Sequence, residues 1–127
     1  VTFALAVVEA KARYKTAGDA VQQARLYAEM LGLKFAYATN GADIIEIDYF
    51  TGRETTVTAY PSPDELFRRY QAGAGINDAT QVGQLLTPYN VVGGKEPRYY
   101  QQIAINRTVE AMLGGKRRLL LTMATGT

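Results

Sequence analysis

The chain contains no cysteine, no histidine and no tryptophan. Without cysteine there is neither a disulfide framework nor thiolate chemistry. Without histidine there is no Ser-His-Asp triad, no histidine–metal nuclease finger and no ordinary zinc site. Long apolar runs are also missing: no stretch of 18 apolar residues and no signal-peptide pattern occur, so the expectation is a soluble, cytoplasmic protein with no membrane partner. Any catalysis must then come from carboxylates, lysine, tyrosine and a hard cation such as Mg²⁺.

What remains is globular in composition. Of 127 residues, 47% are hydrophobic and 20% charged, enough for one modest domain or parts of two. The net charge of +2 is uneven. Residues 1–60 carry six Lys/Arg against seven Asp/Glu, and residues 61–127 carry eight against five. Val1 starts inside a strand pattern and Thr127 stops in a turn barely begun, so a fragment of a longer protein is expected.

The densest signal is Leu5-Ala6-Val7-Val8-Glu9-Ala10-Lys11. A short β-branched apolar run reads as a strand buried on both faces, in the middle of an α/β sheet. Side chains alternate along a strand, so Glu9 and Lys11 share a face. Arg13 and Lys15 extend a basic row on that face if the strand continues. Read alone, the acid and base are a strand-end ion pair or half a site.

The pattern predicts a strand over 1–11, then a helix over 19–31 capped by Thr16 or Asp19 and stopped by Gly32. Strands follow over 34–39, 43–49 and 54–60, with Asn40-Gly41 as a two-residue hairpin turn. Glu46 and Asp48 alternate with Ile45 and Ile47 and read as a solvated face. Pro61-Ser62-Pro63-Asp64-Glu65 starts a helix to about Ala72, with Ser62 able to cap and Pro63 at the first position. Residues 61–97 read as a linker holding that one helix. A further helix over 98–113 ends at Gly114-Gly115, Lys116-Arg117-Arg118 is an exposed basic turn, and 119–123 is a short apolar strand. Ala124-Thr125-Gly126-Thr127 follows.

A strand running into A-T-G-T is how many phosphate-binding loops begin, although the Gly-Lys-[Ser/Thr] that holds phosphate and Mg²⁺ would have to come next. Upstream, Tyr100-Gln101-Gln102-Ile103-Ala104-Ile105 has the form Y-Q-x-x-A-I. It resembles the adenine-reading Q motif of superfamily 2 helicases, in which a glutamine amide offers a donor and an acceptor to the base. The matching residue is Gln101. Gln23 and Tyr27, four apart on the first helix, share a face.

Glu9-Ala10-Lys11 followed by Q-x-x-x-Y on the next helix resembles the PD-(D/E)xK nuclease of the R subunit of type I restriction enzymes. In that family such a nuclease precedes a helicase-type motor in one chain. The resemblance implies an α/β, mixed-sheet nuclease core fragment over 1–60, a linker over 61–97, and the first helix and strand of a RecA-like domain over 98–127. It implies Glu9 as a Mg²⁺ ligand, Lys11 as the water-positioning base, and Gln23 and Tyr27 as auxiliary catalytic residues. Gln101 would read the adenine of ATP, and Thr125, Gly126 and Thr127 would begin the phosphate cradle. Expected partners are double-stranded DNA and the methyltransferase and specificity subunits. The family's other acid has no counterpart in residues 1–8 and is expected before Val1. The alternatives are another nuclease–helicase fusion acting in DNA repair, and a non-enzymatic interaction module whose E-A-K is only an ion pair.

Overall fold

The computed structural model describes residues 3–87, 92–94 and 96–124. Two compact units divide the chain, one formed by Ala4–Tyr70 and the other built on Gln71 onward.

The first unit is a four-stranded mixed sheet with a helical crossover. Strand β1 (Ala6–Ala10) is followed by helix α1 (Gly18–Leu31), then β2 (Phe35–Thr39), β3 (Ile44–Asp48) and β4 (Arg53–Val57). The sheet order is β1-β2-β3-β4, with β1 parallel to β2 and the other pairs antiparallel. A parallel neighbour requires a crossover, and α1 supplies it. The α1 face toward the sheet is made of Ala20, Val21, Ala24 and Ala28, all buried. These small side chains meet Ala36, Ala38 and Ile47, with Val7 and Ile45 at the margin. Small-on-small packing brings the helix backbone close to the strands, which matters for the site below.

Central β2 is buried along its whole length. β1 is not the middle strand its apolar run suggests. Among the described residues it lies at the sheet edge, and Val8, on the face away from α1, is 51% exposed. The regular strand also stops at Ala10. One further hydrogen bond, from Lys11 N–H to the Thr39 carbonyl at 2.8 Å, continues the pairing. The chain then turns, with Lys15 N–H bonding the Ala12 carbonyl, so Arg13 and Lys15 do not extend a basic row.

Several local expectations are corrected by turn chemistry. The N-cap of α1 is Ala17, with no side-chain cap; Asp19 instead accepts from the Thr16 N–H at 2.9 Å. The β2–β3 connection is a four-residue loop, since Thr39 pairs with Ile44. Asn40 Oδ1 accepts the N–H groups of Ala42 and Asp43 at 3.0 and 2.8 Å, an Asx turn that outcompetes the two-residue form. The stop of α1 follows expectation. Gly32 adopts φ 70°, and Leu33 N–H reaches back to the Ala28 carbonyl at 2.8 Å, a Schellman closure.

Helix α2 (Pro63–Ala74) starts as expected: Ser62 Oγ accepts from Glu65 N–H at 3.2 Å. Its buried Leu66 and Tyr70 belong to the sheet unit. Beyond Gln71 the chain forms α3 (Ala79–Leu86), a three-residue 3-10 turn (Val92–Gly94) and α4 (Tyr99–Leu113). The region read as a one-helix linker thus carries a second helix. Its cap is Asp78, whose Oδ1 accepts from Thr80 N–H at 2.8 Å, and Leu85 is its buried contact. Residues 119–123 form no strand. A strand needs a neighbour to satisfy its backbone, and none stands beside them among the described residues. Leu120 is 92% exposed.

Candidate active site

Register decides which side chains meet. Val7 and Glu9 pair with Ala36 and Ala38, so Glu9 lies on the sheet face that α1 covers. Lys11, two residues on, keeps that face while the main chain is still extended. Because α1 is packed closely by alanines, Gln23, one position before the buried Ala24, sits above the end of β1. The result is a continuous chain of contacts. Lys11 Nζ donates to Glu9 Oε1 at 2.9 Å and to Gln23 Oε1 at 2.5 Å. Gln23 Nε2 donates to Tyr27 Oη at 2.8 Å. The four residues singled out in the sequence as catalytic candidates therefore form one hydrogen-bonded row. The side chains of Glu9 and Lys11 are 17% and 24% exposed, mostly sheltered but reachable, and Tyr27 forms the outer end.

The backbone N–H of Thr16 bonded to Asp19 holds that carboxyl below the ordinary carboxylate range, with Lys15 and Lys11 adding attraction. The loop that carries Lys11 into α1 is tied to the β2–β3 turn, where Asn40 Nδ2 donates to the Lys15 carbonyl at 2.9 Å. Asn40 was not among the sequence candidates, and nothing in its neighbours indicated this contact.

Among the described residues no group of three or more acidic side chains is placed to hold a metal. Glu9 is the one carboxylate in the row. Mg²⁺ is commonly bound by one or two carboxylates together with water and substrate phosphates, so Glu9 fits as one protein ligand of such an ion.

A second charged cluster occupies the opposite face of the sheet. Glu46 and Asp48 are not the solvated face that the alternation of β3 suggests. Arg69 of α2 binds Glu46 through both oxygens, at 3.0 and 2.7 Å, and reaches Asp48 at 3.3 Å. Tyr37 donates its hydroxyl to Glu46 at 2.7 Å. The Arg69 hydrogen bonds hold the Glu46 carboxyl below its ordinary value against the cost of burial, and Tyr37 adds to the effect. Burial, followed by the Glu46 contact, pushes the Tyr37 phenol up. Alternation within β3 carried no signal of this, because the cover, Arg69, comes from a helix later in the chain.

In the other unit, Gln101 caps its own helix, its Oε1 accepting the Arg98 N–H at 2.9 Å. It lines an open cleft of about 470 Å³ with Pro97, Ile105, Val109 and Leu121. Lys116, Arg117 and Arg118 are exposed, as expected. Thr125, Gly126 and Thr127 lie outside the described residues.

Fold and site together define a mixed α/β sheet domain whose strand-end acid and lysine meet a glutamine and a tyrosine on the crossover helix. No family model matches the sequence. Over nearly its whole length, however, the chain is homologous to endonuclease subunits of type I restriction enzymes, as two comparisons show. It is 40% identical over 129 residues to the type I restriction enzyme EcoAI endonuclease subunit of Escherichia coli. That match covers 97% of this chain and 16% of that protein. A solved structure, assigned as a fragment of the HsdR subunit of a type I restriction enzyme from Vibrio vulnificus YJ016, is 55% identical with a TM-score of 0.87. There the match covers 97% of this chain and 23% of the other. The fold is thus shared with a segment of such subunits. No helix among the described residues is long and apolar enough to cross a membrane.

Proposed function

We propose that the chain is a segment of the endonuclease and DNA-translocase subunit of a type I restriction–modification enzyme, carrying part of a PD-(D/E)xK nuclease site. The observation that carries this reading is the row Glu9–Lys11–Gln23–Tyr27. Its residue types suit phosphodiester hydrolysis. Mg²⁺, when bound, polarises the phosphate and makes water a better nucleophile. Glu9 serves as a ligand of that ion, alongside a second carboxylate expected on a preceding strand. Lys11 orients water and offsets charge on the phosphate. Gln23 sets the direction of the Lys11 ammonium, and Tyr27 holds the Gln23 amide. The substrate is double-stranded DNA, and the methyltransferase and specificity subunits are the assembly partners.

The segment from Gln71 onward is read as the approach to a RecA-like motor that uses ATP. Support comes from the cleft beside Gln101. With Oε1 accepting the Arg98 N–H, Gln101 offers an adenine edge the second lone pair of that oxygen and the two donors of Nε2. Thr125, Gly126 and Thr127 would begin the phosphate cradle.

The test uses the full-length protein. Glu9→Gln and Lys11→Ala each lower DNA cleavage by about 100-fold or more while ATP hydrolysis is kept. Cleavage at the parent rate in Glu9→Gln refutes the assignment. A second reading, an interaction module, is favoured by the same 2.9 Å ion pair, and it predicts that outcome.

A further inference from the structure

A water-positioning lysine needs its ammonium aimed at water, yet Lys11 points two of its donors inward. Nζ bonds Glu9 Oε1 at 2.9 Å and Gln23 Oε1 at 2.5 Å. Gln23 is held in turn by Tyr27, since its Nε2 donates to the phenol oxygen at 2.8 Å. The amide therefore presents its oxygen, not its nitrogen, to Lys11. Each contact reinforces the next, and both charged side chains are mostly sheltered, at 17% and 24% exposure.

We propose that these four residues form a latch that holds Lys11 until Glu9 takes a divalent cation. The inference rests on the reading of Glu9 as a cation ligand. The same carboxylate cannot neutralise two cations. While Glu9 faces only Lys11, the pair is neutral and attractive. Once Glu9 and the second carboxylate expected beside it ligate a doubly charged ion, their charge is spent on that ion, and the attraction that held the ammonium to Glu9 is cancelled. Gln23 is neutral, so what it then offers Lys11 is an ordinary hydrogen bond that water can replace. Lys11 is freed toward solvent, where its working position lies. The coupling is reciprocal: the factor by which the cation loosens Lys11 is the factor by which Lys11 weakens cation capture. The latch keeps two of the three ammonium donors from water until the metal arrives.

Two measurements on the full-length protein test this. Calorimetry with MgCl₂ alone gives the affinity. Acetylation of Lys11 by an amine-reactive reagent, followed by peptide mass spectrometry, gives its release. Lys11→Met and Lys11→Gln are expected to bind Mg²⁺ about tenfold more tightly than the parent. Saturating Mg²⁺ is expected to raise the acetylation rate of Lys11 by a similar factor in the parent. In Glu9→Gln the rate is high without Mg²⁺ and does not respond to it, and Gln23→Ala raises the metal-free rate. Glu9-dependent Mg²⁺ binding with neither change overturns the latch and leaves the site assignment standing. No Glu9-dependent Mg²⁺ binding overturns both.

Discussion

Arg69 binds three groups at once: both oxygens of Glu46, one of Asp48, and the face of Phe35, whose ring centre lies 4.8 Å from the guanidinium carbon. A bidentate contact of this kind is geometrically exacting, and removing one partner leaves the other charge sheltered and unpaired. Arg69→Ala is expected to destabilise the sheet unit by about 3 kcal/mol, the low end for a buried pair because Arg69 keeps some exposure. Urea denaturation checks the value. The pairing also sets a pH dependence. Glu46 is held below its ordinary value chiefly by Arg69, so its contribution is complete above that value of 4.5 and is lost as pH falls through the lower folded value. Glu46→Gln should therefore flatten the acid limb of a stability–pH curve below about pH 4.5, while lowering stability at neutral pH. At the other cluster, Tyr27→Phe removes the oxygen that orients Gln23. About a tenfold loss of cleavage is expected in the full-length protein, smaller than the loss in Lys11→Ala.

At the scale of elements, α1 carries the site and its two ends matter differently. Its C-terminal stop depends on Gly32 at φ 70°, a conformation that costs any L-residue with a Cβ about 1 kcal/mol or more. Gly32→Ala should lower stability by about that amount in chemical denaturation, with the loss concentrated in the last turn of α1 by hydrogen exchange. Its N-terminus lacks a side-chain cap, and the entry is fixed instead by the Asp19–Thr16 and Asn40–Lys15 contacts. Helix α3 shows the opposite case. It is eight residues long, with Gly83 inside it and Thr87 as its C-cap, so its periodicity is faint in the sequence. Its one clear signal was Asp78 before a helical run. Asp78→Ala should cost about 1 kcal/mol, visible as faster exchange in Ala79–Leu86.

For the whole molecule, one carboxylate in the described row and a chain spanning 16% of its curated relative point to an activity that needs more protein than these 127 residues. The purified chain alone is expected neither to nick DNA nor to hydrolyse ATP. Mg²⁺-dependent nicking that disappears in Lys11→Ala would overturn this. The strands, α1, α2 and α4 were legible in the sequence because periodicity, Gly32, Ser62-Pro63 and Gly114-Gly115 are local properties of neighbouring residues. So was each half of the hydrogen-bonded row: the alternation of β1 puts Glu9 and Lys11 on one face, and helical spacing puts Gln23 beside Tyr27. Only the tertiary structure decided that these two pairs meet, because that depends on the register of β1 on β2 and on how closely an alanine-faced helix approaches the sheet. It also decided that β1 is an edge strand, that Glu46 and Asp48 are covered by Arg69, and that 119–123 forms no strand. An apolar run or an alternating acid specifies a preference for burial or for water, whereas the neighbour that meets it arrives from elsewhere in the chain.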